Sequence, residues 1–370
     1  MSGLIRALID TRALRHNLGV IRTRCGEARV MAVVKANAYG HGLTPTAQAL
    51  ADADAFAVAR LEEGIALRSA GLSQPVVLLE GVFTLEQLRA AADHRLELVV
   101  HDPLQLELLE EAGSAARFVL WIKVDTGMNR LGFAPGQFPA ALGRLRALTP
   151  PPQHIRLMTH LACANERDEG TTRAQLERFR MATRGLSFDT SIANSAGIFG
   201  PMPIGGEWVR PGIALYGASP FSDCLGTDLG LEPVMTLATS VIALRRIMRG
   251  ETVGYGGTWV APRDAAIAIV AGGYGDGVPR SLAPGTAVLV DGRRAPLAGR
   301  VSMDMLAVDV SALEGVRVGT PVVLWGPGLP VEEQARRAGT IAYELLCSVS
   351  QRVPLEPSES SLRRGSDRTS

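Results

Sequence analysis

The chain has 370 residues, 46% hydrophobic and 20% charged, which is enough apolar material for about two domains with large cores. Its 38 basic and 37 acidic residues give a net charge of +1, so it lacks the basic excess of a nucleic-acid-binding protein. The four cysteines are scattered, no apolar run is long enough to span a membrane, and the N-terminus lacks a secretory core. We therefore expect a cytoplasmic protein without a metal site that binds neither nucleic acid nor membranes.

The first part of the chain, 1–228, alternates apolar runs with amphipathic helical stretches. The runs are continuous rather than alternating, which is typical of parallel strands buried on both faces. Eight strand–helix units indicate a (β/α)8 barrel; an open doubly wound sheet is the alternative, but it usually has fewer strands. The predicted strands are 30–35, 55–59, 75–80, 96–100, 117–125, 154–161, 190–194 and 212–217, with helices over 84–92, 102–113 and 173–183.

The pattern changes in the second part, 229–353, where strand-like runs are separated by glycine turns and long helices are few. This composition indicates a mostly antiparallel β domain, and a late helix is predicted over 341–349. The tail 354–370 is rich in Ser, Arg and Glu, and we expect it to be disordered. The predicted strands of this part are 234–247, 265–273, 286–292, 305–310 and 321–326.

Lys35 closes the first apolar strand, in a dry environment that would lower the pKa of its amine and make it nucleophilic. Such an amine can join covalently to a carbonyl group, for instance that of pyridoxal phosphate. From position alone, a lysine that reaches solvent from the strand end is an equally simple interpretation. Functional residues of a barrel lie at this end of the strands, and both interpretations of Lys35 stay open at this point.

Other polar residues follow the same rule. Asn194 and Ser195 follow strand seven and could open a helix that binds an anion, or could be an ordinary N-cap. His160 ends strand six, and Arg130 lies in a loop where it could hold a carboxylate or phosphate. Arg210 fits the rule less well, because it precedes the predicted eighth strand. The glycine-rich runs 254–257 and 272–277 lack the following helix that a dinucleotide site requires.

Taken together, these segments resemble the pyridoxal-phosphate-dependent alanine racemases over residues 5–353. The resemblance implies an isomerase with a barrel and a β domain that interconverts L- and D-alanine by a two-base mechanism, supplying D-alanine for cell-wall peptidoglycan or degrading it. It also implies a homodimer with shared active sites. The matching segments are VVKANAYGHG (33–42), KVDTGMNRLG (123–132), THLA (159–162), NSAG (194–197), VRPGIALYG (209–217), VGYGGTW (253–259), GYGDGVPR (273–280), GRVSMDM (299–305) and TIAYELL (340–346).

The resemblance also implies roles for individual residues. Lys35 would hold the cofactor and serve as base on the D face of the substrate, and Tyr255 of the neighbouring subunit would serve on the L face. Arg130 and the backbone N–H of Met303, also from the neighbour, would bind the substrate carboxylate. The further cofactor-binding residues would be Tyr39, His160, Asn194, Ser195, Arg210, Gly212, Ile213 and Tyr343. The supporting residues would be Lys123, which is carbamylated in some members and positions Arg130, and Tyr274, Arg280 and Asp304 around the substrate entrance.

Several alternatives remain open at this stage. Related decarboxylases share the barrel, but we find no convincing counterpart of their cysteine–aspartate substrate motif, and small pyridoxal-phosphate homeostasis proteins lack a second domain. A serine or broad-specificity racemase, a non-catalytic pyridoxal-phosphate carrier and an unrelated barrel for a phosphorylated sugar are the others. Tyrosines 255 and 343 favour a methyl side chain, although serine differs by only one hydroxyl. The polar ending after Pro354 puts the family's terminal strand in question.

Overall fold

The computed structural model describes residues 4–113 and 117–358. Eight of its strands are parallel and close a barrel, in which each strand pairs with the next and the last pairs with the first. Most of these strands are buried on both faces, as their continuous apolar runs predict. The barrel strands are Arg29–Val33, Ala55–Val58, Val76–Leu78, Glu97–Val100, Val119–Lys123, His154–Met158, Thr190–Asn194 and Trp208–Arg210.

The helices around the barrel begin and end at recognisable residues. Asp102 caps one helix by accepting the N–H of Leu104, Pro103 occupies its first turn, and Gly113 ends it in the left-handed conformation. Because all eight barrel strands are parallel, the connections bring the chain back to the same end of the barrel before each new strand. The helices of this part are Thr11–Cys25, Leu43–Ala49, Leu61–Ser69, Leu85–Asp93, Pro103–Ala112, Phe138–Ala147, Gly170–Ala182 and Ser195–Phe199.

The prediction of the eighth strand at 212–217 is wrong. These residues form a 3-10 helix, Ile213–Tyr216, and the eighth strand is the shorter Trp208–Arg210, which pairs with Arg29 and Val30. The apolar run is buried on all sides, and burial alone does not distinguish a strand from a short helix. Because the strand lies earlier, Arg210 stands at its C-terminal end and follows the strand-end rule after all.

The second part is a mostly antiparallel sheet, as predicted. Its central strand, Met235–Ile247, alternates between buried and half-buried residues over most of its length and pairs on both sides. No helix in the described ranges is long and apolar enough to cross a membrane. The other elements are strands Thr252–Val253, Trp259–Val260, Ala265–Ala271, Ala287–Val290, Arg293–Pro296, Met305–Asp309 and Pro321–Trp325, and helices Val331–Ala338 and Ala342–Ser348.

Both ends of the described chain join this second sheet. The strand Arg6–Ile9, assigned above to the barrel part, pairs antiparallel with the start of Met235–Ile247. Leu355–Pro357 pairs parallel with Arg6–Ile9, so the expectation of disorder from residue 354 is wrong for these residues. Their side chains are mostly exposed, and it is their pairing along the sheet edge that orders them. The prediction for 359–370 lies outside the described residues.

Candidate active site

A cavity of about 470 Å³ opens at the C-terminal ends of the barrel strands. Eleven of the residues predicted from the sequence line it together: Lys35, Tyr39, Lys123, Arg130, His160, Asn194, Ser195, Arg210, Gly212, Ile213 and Tyr343. A larger and more open groove of about 740 Å³ lies at the opposite end of the barrel. There, Arg29 and Arg156 are already paired with Asp189 and Glu97, so the charges of that groove are largely compensated.

Lys35 stands between the first barrel strand and an unusual turn. Four consecutive residues, Ala36 to Tyr39, have φ between 52° and 55°, although none of them is glycine. Left-handed backbone costs L-residues about 1–2 kcal/mol each, so this turn persists only because its surroundings hold it. Gly40 follows at φ 82°, where a Cβ would collide with the carbonyl of Leu346. The turn thus lies directly against the helix Ala342–Ser348 of the second part.

One corner of the cavity is suited to an anion. The Oγ atom of Ser195 accepts the N–H of Gly212 at 2.9 Å, which leaves its hydroxyl hydrogen available to donate. Asn194 caps the helix that begins at Ser195 by accepting the N–H of Gly197 at 3.0 Å. A Cβ on Gly212 would lie 2.5 Å from the hydroxyl of Tyr39, so any other residue there would displace that phenol. The hydroxyl groups of Ser195 and Tyr39 therefore converge beside a residue without a side chain.

The two tyrosines of this corner remain protonated. Burial raises the pKa of Tyr343 to about 12, and burial together with the neighbouring Tyr343 raises the pKa of Tyr39 still further. A protonated phenol donates a hydrogen bond, which suits a phosphate and disfavours a cation.

Arg210 is almost completely buried at the end of the eighth strand. It donates to the Oγ atom of Ser191 at 2.5 Å, to the carbonyl oxygen of Thr159 at 2.6 Å and to Nδ1 of His160 at 3.3 Å. These partners are all neutral, and burial lowers the pKa of Arg210 to about 10, so it remains a cation near neutral pH. Burial and then the charge of Arg210 lower the pKa of His160 to about 2, which keeps its ring neutral.

The cavity has a strong excess of positive charge. Lys123 ends the strand Val119–Lys123 and is 7% exposed, and burial followed by the charges of Arg210 and Arg130 lowers its pKa to about 8. The cavity-lining residues include four basic side chains, Lys35, Lys123, Arg130 and Arg210, but only one acidic side chain, Glu80. Such a site favours a ligand with several negative charges, such as a phosphate monoester together with a carboxylate.

The loop that carries Arg130 is ordered by one carboxylate. Asp125 accepts the backbone N–H groups of Gly127, Met128 and Asn129 at 2.9–3.1 Å.

Seven further residues line the cavity that were not predicted from the sequence, because apolar residues and a lone acid or thiol carry no distinctive local pattern. They are Val33, Ala36, Leu79, Glu80, Leu131, Met158 and Cys347.

The remaining predicted residues do not line this cavity and lie in the second part of the chain. Tyr255 is 68% exposed and Met303 52% exposed. Tyr274 and Met303 belong to one local structure, in which the N–H of Gly275 donates to the carbonyl oxygen of Met303 at 2.9 Å. Asp304 accepts a hydrogen bond from Arg352, and Arg280 lies with Tyr274 in a separate groove. Within one chain, these residues therefore lie at the surface and outside the cavity.

Comparisons with known proteins cover nearly the whole chain. Residues 9–220 match the family model described as alanine racemase, N-terminal domain, and residues 234–356 the model described as alanine racemase, C-terminal domain. The alanine racemase of Nitrosococcus oceani is 51% identical over 94% of this chain and 98% of its own.

Two solved structures show the same similarity at the level of the fold. The biosynthetic alanine racemase of Pseudomonas aeruginosa has a TM-score of 0.93 and 46% identity, covering 97% of this chain and 100% of its own. The Bartonella henselae alanine racemase with covalently bound pyridoxal phosphate has a TM-score of 0.86 and 29% identity, covering 96% of this chain and 100% of its own. The fold, the arrangement of the cavity and these matches agree, and the chain belongs to the alanine racemase family.

Proposed function

We propose that this protein interconverts L-alanine and D-alanine with pyridoxal phosphate as its cofactor. The observation that carries the proposal is the placement of the Lys35 amine in one cavity with an anion-binding corner and the buried cation Arg210. The membership of the family and the names of the relatives support the same reaction. A carrier that only stores the cofactor would need no substrate-binding charge beyond it, whereas Arg130 and Lys123 add two further cationic groups.

The residues present fit the cofactor. Its phosphate would be held in the anion-binding corner by Tyr39, Ser195, Gly212, Ile213 and Tyr343, and Asn194 would support Ser195 from behind. Lys35 would bind its aldehyde carbon, and Arg210 would face its ring nitrogen. When bound, pyridoxal phosphate withdraws electrons from the amino acid's Cα and makes the proton there removable.

Arg210 determines how strongly that withdrawal acts. Its guanidinium stays protonated and has no lone pair to accept a proton, so it can only donate a hydrogen bond toward the ring nitrogen. A carboxylic acid at this place would supply a full proton and a stronger electron sink. Arg210 would therefore keep the electron withdrawal by the cofactor weak and so limit side reactions at Cα.

Racemisation removes a proton from one face of Cα and returns one to the other, and two bases on opposite faces accomplish this without rotation of the substrate. The amine of Lys35 would serve the D face. Tyr255 would come from a second copy of the chain, since it is exposed here and lies outside its own chain's cavity. The neutral ring of His160, positioned by Arg210, would stand behind the phenol of the partner subunit's Tyr255 and stabilise its deprotonated form.

The substrate carboxylate would be held by Arg130 and by the backbone N–H of the partner subunit's Met303. Lys123 would position Arg130, and a carbamate on its amine would convert a repelling neighbour into an ion pair. Tyr274, Arg280 and Asp304 would lie around the entrance between the two copies. All of these assignments to the second part require a homodimer with shared active sites.

The test is a racemisation assay on L-alanine, L-serine and L-lysine with added pyridoxal phosphate. We expect the fastest turnover with alanine and loss of turnover in Lys35→Ala. The chain contains only two lysines, Lys35 and Lys123, so borohydride reduction followed by peptide mass spectrometry identifies the modified amine directly. Faster turnover of serine or lysine would indicate a broad-specificity racemase. Labelling without turnover would indicate a carrier, and labelling of Lys123 alone would contradict the proposal.

A further inference from the structure

The left-handed turn Ala36–Tyr39 connects two groups that the proposed function uses, the amine of Lys35 and the hydroxyl of Tyr39. Its four consecutive non-glycine residues with positive φ are intrinsically unfavourable. The structure must therefore supply contacts that stabilise this conformation over an ordinary loop. Two side chains outside the cavity-lining set contact the backbone of the turn directly, one at each end.

Glu63 contacts the beginning of the turn. Its carboxylate lies in the first turn of the helix Leu61–Ser69, where one oxygen accepts the N–H groups of Ala59 at 3.0 Å and Arg60 at 3.1 Å. The other oxygen accepts the N–H of Ala36 at 2.6 Å. One carboxylate thus joins the residue next to Lys35 to the start of a helix, and both oxygens are needed as acceptors.

His41 contacts the end of the turn and is 1% exposed. Its Nδ1 atom lies 3.1 Å from the carbonyl oxygen of Ala38 and 2.9 Å from that of Tyr39. Carbonyl oxygens only accept, so Nδ1 carries the proton. Its Nε2 atom is buried and has no partner among the described residues. Burying a histidine whose Nε2 atom has no hydrogen-bond partner costs free energy. The hydrogen bonds formed by Nδ1 are therefore expected to have a structural role.

The ring of His41 also belongs to a stack. Its centroid lies 4.6 Å from that of Tyr216, and the ring of Tyr39 lies 4.7 Å from the same Tyr216 ring. The hydroxyl of Tyr216 donates to the carbonyl oxygen of Val33 at 3.0 Å, just before Lys35. The three rings therefore connect the end of the turn back to the strand that carries the lysine.

We propose that Glu63 and His41 are positioning residues that hold the Ala36–Tyr39 turn in its left-handed form and so fix the Lys35 amine relative to the Tyr39 hydroxyl. The inference rests on the proposed function for its consequence, which is the affinity for pyridoxal phosphate. The hydrogen bonds from Ala36 to Glu63 and from His41 to the carbonyl oxygens hold the turn, and the ring stack adds to them.

Three variants of the full-length protein separate these contributions. His41→Phe keeps an aromatic ring and removes the donor, whereas His41→Asn keeps a donor near the position of Nδ1 and removes the ring. Glu63→Gln preserves the shape but replaces one acceptor oxygen by an N–H donor. Leu142→Ala, in the core beneath the helix Phe138–Ala147, is the matched control for a general loss of stability.

Two measurements are made on each variant: amide hydrogen exchange over residues 36–42, and the dissociation constant for pyridoxal phosphate of dialysed protein. We expect faster exchange confined to this segment and about tenfold weaker cofactor binding in His41→Phe and Glu63→Gln. The exchange rate and the dissociation constant of His41→Asn should be closer to the wild-type values than those of His41→Phe. Leu142→Ala should lower the melting temperature and leave both measurements unchanged.

Unchanged exchange over 36–42 in both His41→Phe and Glu63→Gln would overturn the proposal, and so would a loosened turn with undiminished cofactor affinity. If Leu142→Ala changed the exchange over 36–42 and the affinity for pyridoxal phosphate equally, Glu63 and His41 would only contribute to general stability and would not be positioning residues. Failure of the wild type to bind pyridoxal phosphate would contradict the proposed function instead. The exchange measurement would then still decide whether the two side chains hold the turn.

Discussion

Arg210 donates to Nδ1 of His160 at 3.3 Å, and this contact fixes the protonation of both groups. Because Nδ1 accepts, the single proton of the neutral imidazole lies on Nε2. Arg210 in turn has only neutral partners within the described residues, namely one hydroxyl, two carbonyl oxygens and this ring. Arg210 therefore brings a full positive charge to the cavity while forming no hydrogen bond to a carboxylate of the described residues.

Replacing Arg210 by Gln is expected to raise the pKa of His160 from its value of about 2, since one of the causes of its depression is removed. Burial, the larger cause, remains, so the pKa should stay below the ordinary 6.5. Nitrogen NMR of the labelled ring during an acid titration would measure this change. A titration identical to that of the wild type would mean that Arg210 does not act on His160.

Shared active sites can be tested by mixing two inactive variants. Lys35→Ala and Tyr255→Phe should each be nearly inactive, but a mixed dimer contains one site with both native residues. After subunit exchange, a random mixture is expected to recover about a quarter of wild-type activity. Lys35→Ala mixed with itself serves as the control. Absence of recovery despite demonstrated exchange would argue that both bases come from one chain.

Gly212→Ala is expected to weaken pyridoxal-phosphate binding about tenfold or more, because its Cβ would lie 2.5 Å from the hydroxyl of Tyr39 and displace that phenol. Gly205→Ala is the matched control, since its Cβ would meet nothing within 4 Å. Cofactor dissociation followed by absorbance measures both variants. Equal affinities would show that the corner tolerates a methyl group and is not the phosphate site.

Lys123 is expected to react with carbon dioxide. Its pKa of about 8 leaves part of the amine neutral near neutral pH, and the neutral amine attacks carbon dioxide, forming an N-carbamate and releasing one proton. Bicarbonate should therefore lower the KM for alanine in the wild type, because the carbamate would pair with Arg130. Lys123→Arg cannot form the adduct and should not respond. A bicarbonate effect of equal size in this variant would exclude Lys123 as its origin.

Acid is expected to destabilise the fold before its carboxylates titrate. The pKa of His41 is lowered to about 4, mainly by burial, and that of His160 to about 2, against 6.5 in the unfolded chain. The unfolded chain therefore takes up protons below pH 6.5 that the folded chain does not, and stability falls as the pH decreases. Each histidine should remove about 1.4 kcal/mol per pH unit in this range.

Urea unfolding at pH 7 and pH 5 would measure this loss. His41→Asn removes one buried ring that titrates in this way, so its free energy of unfolding should depend less steeply on pH. An equal slope in the variant and the wild type would show that His41 does not contribute.

Much of the barrel and most of the cavity could be predicted because their signals are local. Continuous apolar runs mark buried parallel strands, and Lys35, Lys123 and Asn194 each stand where such a run ends. The eighth strand was misplaced because Trp208–Arg210 is only three residues long, and the longer apolar run after it is a buried 3-10 helix.

Other features depend on contacts that the local sequence does not contain. The left-handed turn Ala36–Tyr39 contains no glycine that would indicate it in the sequence. Its conformation is held instead by Glu63 and His41. The strand Leu355–Pro357 forms because Arg6–Ile9 leaves one edge of the sheet open for pairing. The polar composition of this segment does not indicate a strand. Likewise, no pattern within 253–259 indicates that Tyr255 lies outside its own chain's cavity.

The pairing of Arg6–Ile9 with Met235–Ala238 and with Leu355–Pro357 has a consequence for biosynthesis. The strand Arg6–Ile9 is translated before the barrel segments, so it meets its first partner only after they have been translated and its second partner later still. Until then it is an open edge that could pair with another nascent chain. We expect the barrel to form during translation and the second sheet to close last, so that amino-terminal fusions which hinder this strand affect yield more than turnover.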